Sequence, residues 1–141
     1  VQSLVLRKMM LRNLMLVSSS TLFIVGCTAV HQRRGAQELL PRLCESWNEN
    51  DLRAFEQLFH PESEIHKLMS FGVVEKNKLE AKFKRVRTES GRMLNVEVGR
   101  YDRDTDLYEL NVEYDIKGKV VGFISVKQYQ GTWRVFDIDI D

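Results

Sequence analysis

The sequence predicts an α+β domain in which N-terminal helices pack on a curved antiparallel meander sheet. In three segments between positions 36 and 86, apolar residues recur at steps of three and four residues, which is typical of helices with one buried face. From position 94 onwards apolar and polar residues alternate, which is the period of a half-buried strand. Short turn sequences separate the alternating segments, so successive strands are expected to run in opposite directions. Helices followed by strands in this order define the class.

The first two helices are predicted on either side of a short polar junction. The buried face of the first helix comprises Ala36, Leu39, Leu40, Leu43, Cys44 and Trp47. Pro41 either kinks this helix or marks its true start, and Asn48-Glu49-Asn50 ends it. Asp51 is a suitable N-cap for the second helix, which His60-Pro61 terminates. The apolar face of the second helix comprises Leu52, Phe55, Leu58 and Phe59.

The middle of the chain predicts a short strand and a third helix. The strand is placed at residues 64–69, and a turn with apolar flanks at residues 71–74. Asn77, followed three residues later by Glu80, resembles a capping box, so the third helix is predicted to begin there. Ser90-Gly91 is predicted to end it. Its buried stripe comprises Leu79, Phe83 and Val86.

The last third of the chain predicts four strands joined by tight turns. The strands are placed at residues 94–98, 108–116, 120–126 and 132–140. The turns are Asp102-Arg103-Asp104, Lys117-Gly118 and Gln130-Gly131. The second strand has one polar face and the third is apolar on both faces, so the third is expected to be central. One face of the sheet is expected to contact the helices and the other to contact solvent.

The first 26 residues have the pattern of a bacterial export signal. A basic flank precedes an apolar stretch from Leu14 to Val25, and basic flanks stay on the cytoplasmic side. The stretch has 12 residues, whereas a helix needs roughly 20 apolar residues to span a bilayer. The segment Ile24-Val25-Gly26-Cys27 closes this stretch and resembles the lipobox of bacterial lipoproteins. The basic flank comprises Arg7, Lys8 and Arg12.

The lipoprotein resemblance implies cleavage before Cys27 and lipidation of its thiol. Several acyl chains together hold a protein durably on a membrane. Because Thr28 replaces the aspartate that commonly retains such proteins in the inner membrane, an outer-membrane anchor facing the periplasm is expected in a Gram-negative cell. The alternatives are an uncleaved leader with a chance cysteine and an ordinary secretory signal cut nearby; Val1, Met9 and Met10 are alternative translation starts. The domain organisation is a signal peptide at 1–26, a lipidated cysteine with a polar tether at 27–35, and an α+β domain at 36–141.

Charge and cysteine content exclude several classes of function. Residues 27–141 carry 18 basic and 20 acidic side chains, which argues against a nucleic-acid partner because such binding needs a concentrated basic surplus. Cys44 has no second cysteine for an intrachain disulfide once Cys27 is lipidated. No Cys/His cluster occurs, and neither a metal ion nor a cofactor is predicted. The alternating acids Asp137, Asp139 and Asp141 are interpreted as the charges of a solvated sheet edge rather than as calcium ligands.

The order of elements resembles the nuclear transport factor 2-like superfamily over about residues 36–141. The resemblance includes the junction Trp47-Asn48-Glu49-Asn50-Asp51-Leu52 and the final strand Gly131-Thr132-Trp133-Arg134-Val135. It implies a conical pocket between the first helix and the curved sheet, a fold shared by ketosteroid isomerases and polyketide cyclases. Four aromatic residues are the candidates for lining or filling that pocket. They are Trp47, Tyr108, Tyr114 and Trp133.

Catalysis is the less favoured hypothesis. His66 is the candidate general base, with His60 near it in sequence. The isomerases of this superfamily use a phenol on the first helix and inward carboxylates, whereas the first tyrosine here is Tyr101. We therefore predict a non-catalytic module that binds an unidentified ligand or protein and forms a homodimer through its exposed sheet face. The alternatives are a small-molecule isomerase, lyase or hydrolase that uses a pocket histidine or carboxylate, and an accessory subunit of an envelope assembly. The basic side of the third helix is interpreted as a solvated surface, with contact to phosphate-rich lipopolysaccharide or to an acidic partner as the alternative.

Overall fold

The structure is a computed structural model that describes the backbone of residues 19–140 and the side chains of residues 30–140. The described residues form four helices followed by four strands. The helices are α1 (Ser19–Asn48), α2 (Leu52–Gln57), α3 (Glu64–Ser70) and α4 (Val73–Ser90). The strands are β1 (Met93–Asp102), β2 (Leu107–Tyr114), β3 (Gly118–Tyr129) and β4 (Thr132–Asp139). The predicted α+β class, with helices before strands, is confirmed.

The four strands form one open antiparallel sheet in the order β1-β2-β3-β4. Gln130 and Gly131 both have positive φ angles, 49° and 78°, which is the geometry of the two-residue turns that match the twist of a hairpin. Beyond β4, the backbone of residues 58–60 pairs with Val135: Val135 N–H donates to the Leu58 carbonyl at 2.8 Å and the His60 N–H donates to the Val135 carbonyl at 2.7 Å. This contact covers part of the β4 edge, where unpaired backbone groups would otherwise recruit another strand.

Helix α1 packs on the inner face of the sheet against β1, β3 and β4. Its predicted apolar face is confirmed, with Leu39 and Leu43 fully buried. Asn48, at its last turn, uses both amide atoms on one residue of β1: Oδ1 accepts from the Met93 N–H at 2.8 Å, and Nδ2 donates to the Met93 carbonyl at 3.0 Å. The Arg87 guanidinium of α4 donates to the Trp47 carbonyl at 2.9 Å. The end of α1 is therefore tied to both the sheet and α4.

The predicted start of the first helix is wrong, because α1 is continuous from Ser19 to Asn48 and includes Pro41. Residues 28–35, predicted to be an irregular tether, are helical. Arg33 in this segment donates from Nη1 to the Gly99 carbonyl at 2.8 Å and from Nη2 to the Val98 carbonyl at 3.1 Å. The segment is thus docked on β1. The sequence did not predict a helix here because the segment is polar. Two of its contacts with β1 are made by the guanidinium nitrogens of Arg33 rather than by apolar side chains.

Residues 64–70 form helix α3 rather than the predicted strand. Ser63 caps this helix by accepting the His66 N–H at 3.3 Å. Helix α4 begins at Val73 after Gly72, which has a φ angle of 120°, so the predicted start at Asn77 is also wrong. Asn77 and Glu80 have the spacing of a capping box but lie inside the helix. Such a pattern does not by itself mark the start of a helix, because the start depends on the backbone geometry.

Candidate functional site

The space between α1 and the inner face of the sheet is filled by aromatic rings. Trp47 on α1 lies with its ring centroid 5.3 Å from that of Phe83, 5.9 Å from that of Tyr114 and 6.3 Å from that of Phe55. Its indole N–H donates to the Gly91 carbonyl at 2.9 Å. Only 5% of Trp47 and 2% of Tyr114 is exposed. Two of the four candidate pocket residues therefore pack against each other inside the core.

The other two candidate pocket residues differ in burial: Tyr108 is buried and Trp133 is half-buried. Tyr108 on β2 has its ring centroid 4.9 Å from that of Tyr101, and burial raises the pKa of its hydroxyl. It borders a cleft of about 50 Å³. Trp133 on β4 is half-buried against Gly35, where a Cβ atom would lie 2.2 Å from the indole ring. The remaining residues of the cleft are Gln32, Asp106, Ser125, Val126, Lys127 and Phe136.

A larger groove of about 480 Å³ lies on the outside of the domain, between α1, α2 and the start of β4. It is bordered mainly by charged and polar side chains, and none of the four candidate aromatic residues borders it. The Arg134 guanidinium donates to the Gln57 carbonyl and, from Nε, to the Thr132 hydroxyl at 3.3 Å. Small-molecule sites are typically apolar with a few convergent polar groups, so this groove is more polar than a typical one. Its charged residues are Arg42, Glu45, Glu49 and Arg134.

The two histidines considered for catalysis have different surroundings. His66 lies on α3, and its Nε2 is 3.2 Å from Oε1 of Glu56 on α2. The His60 ring lies between Tyr129 and Phe136, with centroid distances of 5.5 and 5.8 Å, and its Nδ1 accepts the Glu62 N–H at 3.1 Å. Neither histidine borders the groove or the cleft. An imidazole beside a carboxylate can carry a proton, but His66 and Glu56 make this pair away from either cavity.

Cys27, the predicted lipidation site, lies within α1, and its side chain is outside the described residues. Lipidation of Cys27 stays a prediction. Among the side chains that the structure describes, no three His, Cys, Asp or Glu residues are close enough together to hold a metal ion. Asp137 and Asp139 lie on β4, and Asp141 is outside the described residues. Between residues 19 and 140, no helix is long and apolar enough to cross a membrane.

The face of the sheet that points away from α1 has an apolar centre. Val121 and Phe123 of β3 are exposed on it, 59% and 38% respectively. Phe123 is paired with Glu109 of β2 and Asp139 of β4, and Val121 is paired with Asn111. Directly opposed residues project from the same face, so Phe123 lies between two carboxylates and Val121 lies beside an amide. We call this surface the outer sheet face; its acidic residues are Glu97, Glu109, Glu113, Asp137 and Asp139, and its basic residues are Arg100 and Lys119.

Sequence reasoning placed β3 centrally, which is confirmed, but missed Val121 and Phe123 as surface residues. The polar face of β2 indicated that these two residues are exposed. Because Glu109 and Asn111 were expected to face solvent, their partners on β3 had to face solvent as well. No protein-family model matches the chain, and it has no significant match among curated proteins or solved structures.

Proposed function

We propose that this protein is a lipid-anchored lipoprotein of the bacterial envelope whose domain, a cone of the nuclear transport factor 2-like type, is a non-catalytic protein-interaction module. The lipobox ending at Cys27 and the basic flank before it support the anchor. The helices that precede a four-stranded antiparallel meander, with α1 packed on the sheet, support the cone. The proposed location is the outer membrane, with the domain in the periplasm.

The observation that carries this proposal is the filled interior. In a cone that binds a small molecule, the ligand occupies the space between the first helix and the sheet. Here Trp47, Phe83 and Tyr114 occupy that space in direct contact. Small-molecule sites have volumes of about 300–1,000 Å³ and bury most of the ligand. The cleft beside Tyr108 is smaller than this, and the groove between α1 and α2 is open and charged. Recognition is therefore assigned to the surface.

The outer sheet face is the surface best suited to a protein partner. Protein interfaces combine an apolar, often aromatic centre with a polar rim, and Val121 and Phe123 provide such a centre. Five carboxylates and two basic groups surround it. A partner with a basic surface would complement this rim, whereas a second copy placed face to face would oppose like charges. The proposed partner is thus a different protein, for example another subunit of an envelope assembly.

The interface is tested with a photoreactive phenylalanine analogue at position 123 of the full chain in its native cells. The matched control places the same analogue at Ile116, which is 68% exposed in the β2–β3 turn. We expect a discrete adduct with a second protein at position 123 and not at position 116. An adduct of twice the chain mass would indicate a homodimer, and equal labelling at both positions would contradict a specific interface.

The anchor is tested separately by metabolic labelling with a radioactive fatty acid. The full chain should incorporate the label and lose the mass of residues 1–26. Cys27→Ser should abolish incorporation, whereas Cys44→Ser, which changes the half-buried cysteine of the domain, should not. Label retained by Cys27→Ser would exclude the lipobox assignment without affecting the interface at the outer sheet face.

A further inference from the structure

The junction between α3 and α4 carries an exposed apolar cluster that the proposed function does not use. Phe71, Val73 and Val74 are 72%, 74% and 66% exposed. Gly72 makes the bend between them with a φ angle of 120°, and a Cβ atom at this position would meet nothing within 4 Å. The three side chains therefore project from an open bend. We call them the apolar tip.

The apolar tip belongs to a basic part of the chain. Residues 64–90 contain seven basic and four acidic side chains, whereas the whole chain has a net charge of +1. Lys67 and Lys76, on either side of the tip, are exposed and make no ion pair within residues 30–140. Lys78 pairs with Glu75 at 3.1 Å. The tip is thus flanked by positive charge that no described side chain neutralises.

The start of α4 adds backbone donors to this positive charge. Gly72 provides no side-chain cap, and the first bond of the helix is donated by the Lys76 N–H to the Gly72 carbonyl at 3.1 Å. The N–H groups that precede it lie at the positive end of the helix without an intrahelical partner. Phosphate oxygens are suitable acceptors for such groups. These N–H groups lie beside exposed apolar side chains, which favours a partner that is both apolar and anionic.

We propose that the apolar tip inserts into the interfacial layer of a bilayer that contains anionic phospholipid. Apolar side chains flanked by lysines are the pattern of interfacial membrane binding, in which the apolar groups enter the headgroup–acyl boundary and the lysines attract anionic lipids. A second copy of this segment would bring like charges together, and a projecting bend has little area for a rigid protein partner. The contact goes beyond the proposed interaction module and gives the chain a second attachment besides the N-terminal one.

The proposal is tested by fluorescence quenching on the full chain in vesicles of phosphatidylcholine and phosphatidylglycerol with brominated acyl chains. Phe71→Trp is compared with Ile116→Trp, so that Trp47 and Trp133 contribute equally to both samples. A side chain at the interface lies roughly 5–10 Å deep, so the emission of the tryptophan at position 71 should fall about twofold or more. The tryptophan at position 116 should be unaffected. Equal quenching at the two positions would overturn the proposal.

The role of the lysines is tested in the Phe71→Trp background. Lys67→Gln combined with Lys76→Gln should lower the quenching about twofold in anionic vesicles, because each lysine near a charged surface contributes to the attraction. Lys117→Gln, in the β2–β3 turn, combined with Lys127→Gln, at an exposed position of β3, should leave the quenching unchanged. Circular dichroism checks that all variants are folded. If both lysine pairs have the same effect, the attraction is not specific to the tip and the proposal fails.

Flotation of the vesicles distinguishes this inference from the proposed anchor. A chain that floats with the vesicles but shows no quenching at position 71 retains its anchor and contradicts docking of the tip. A chain that does not float contradicts both attachments. Sedimentation of Phe71→Ser gives a further check: loss of a dimer that the unaltered chain forms would show that the tip contacts a second copy rather than lipid.

Discussion

Helix α1 and the helical arm at residues 64–82 contain similar apolar residues but place them in opposite environments. Leu39 and Leu43 of α1 are fully buried against the sheet. In the arm no residue is buried, and Phe71 and Val73 are mostly exposed. The apolar residues of a helix thus do not by themselves indicate whether another element covers them. Where the sheet covers it the residues stabilise the fold, and where nothing in the described chain covers it they are available for binding.

The largest effect is expected where α1 is most deeply buried. Leu43→Ala should lower the free energy of unfolding by about 2–5 kcal/mol, because it loses apolar burial and leaves a cavity. Leu94→Ala, at an exposed position of β1, should change it by about 0.5 kcal/mol or less. Urea unfolding followed by circular dichroism measures both. Similar effects for the two leucines would contradict the burial difference between these two positions.

The polar contact between α1 and β1 is the next test. Asn48→Ala should lower the free energy of unfolding by about 1–3 kcal/mol, because it removes both side-chain bonds to Met93 and leaves backbone groups without partners. Asn95→Ala is the matched control, since its amide bonds only to exposed Glu97. If Asn48→Ala is as mild as Asn95→Ala, water satisfies the Met93 backbone and α1 is fixed by its apolar face alone.

The close approach of α1 to β4 at Gly35 predicts a smaller effect. A Cβ atom there would overlap the Trp133 ring. The strain of overpacking is opposed by the better helix propensity of alanine, so Gly35→Ala should lower the free energy of unfolding by about 1–2 kcal/mol. In the Trp133→Leu background the same change should be neutral or stabilising. A double-mutant cycle measures this coupling, and additive effects would contradict the contact.

The strands and their order were predictable because period-two alternation and turn residues are local signals. Asp51 was predictable as a cap for the same reason, and its carboxylate accepts the Ala54 N–H at 3.0 Å. The strand predicted at residues 64–69 was wrong because Ile65, Leu68 and Met69 are too few to distinguish the two periods. The cap at Ser63 was the local signal that favours the helix actually present.

The site was less predictable than the fold because its character depends on distances between remote residues. Whether Trp47 lines a pocket or fills it is decided by Phe83 and Tyr114, which are far away in sequence. The exposure of Val121 is decided by the lack of a layer over the outer sheet face within the described chain. The surroundings of His66 could not be predicted from the sequence, because its partner Glu56 lies on a different helix, α2.

The smallest effect on stability is expected at the apolar tip, and this is what makes the comparison with α1 informative. Val73→Ser combined with Val74→Ser should change the free energy of unfolding by about 0.5 kcal/mol or less, because exposed side chains lose little on substitution. Backbone amides of the arm should also exchange with solvent faster than those of α1 at residues 36–47, because regions with few buried contacts open locally. Hydrogen–deuterium exchange measures this difference. Slow exchange in the arm, or a large loss of stability in the double variant, would mean that the tip is packed in solution. If the double variant is as stable as the unaltered chain, any loss of membrane contact in this variant is due to the exposed side chains themselves and not to unfolding.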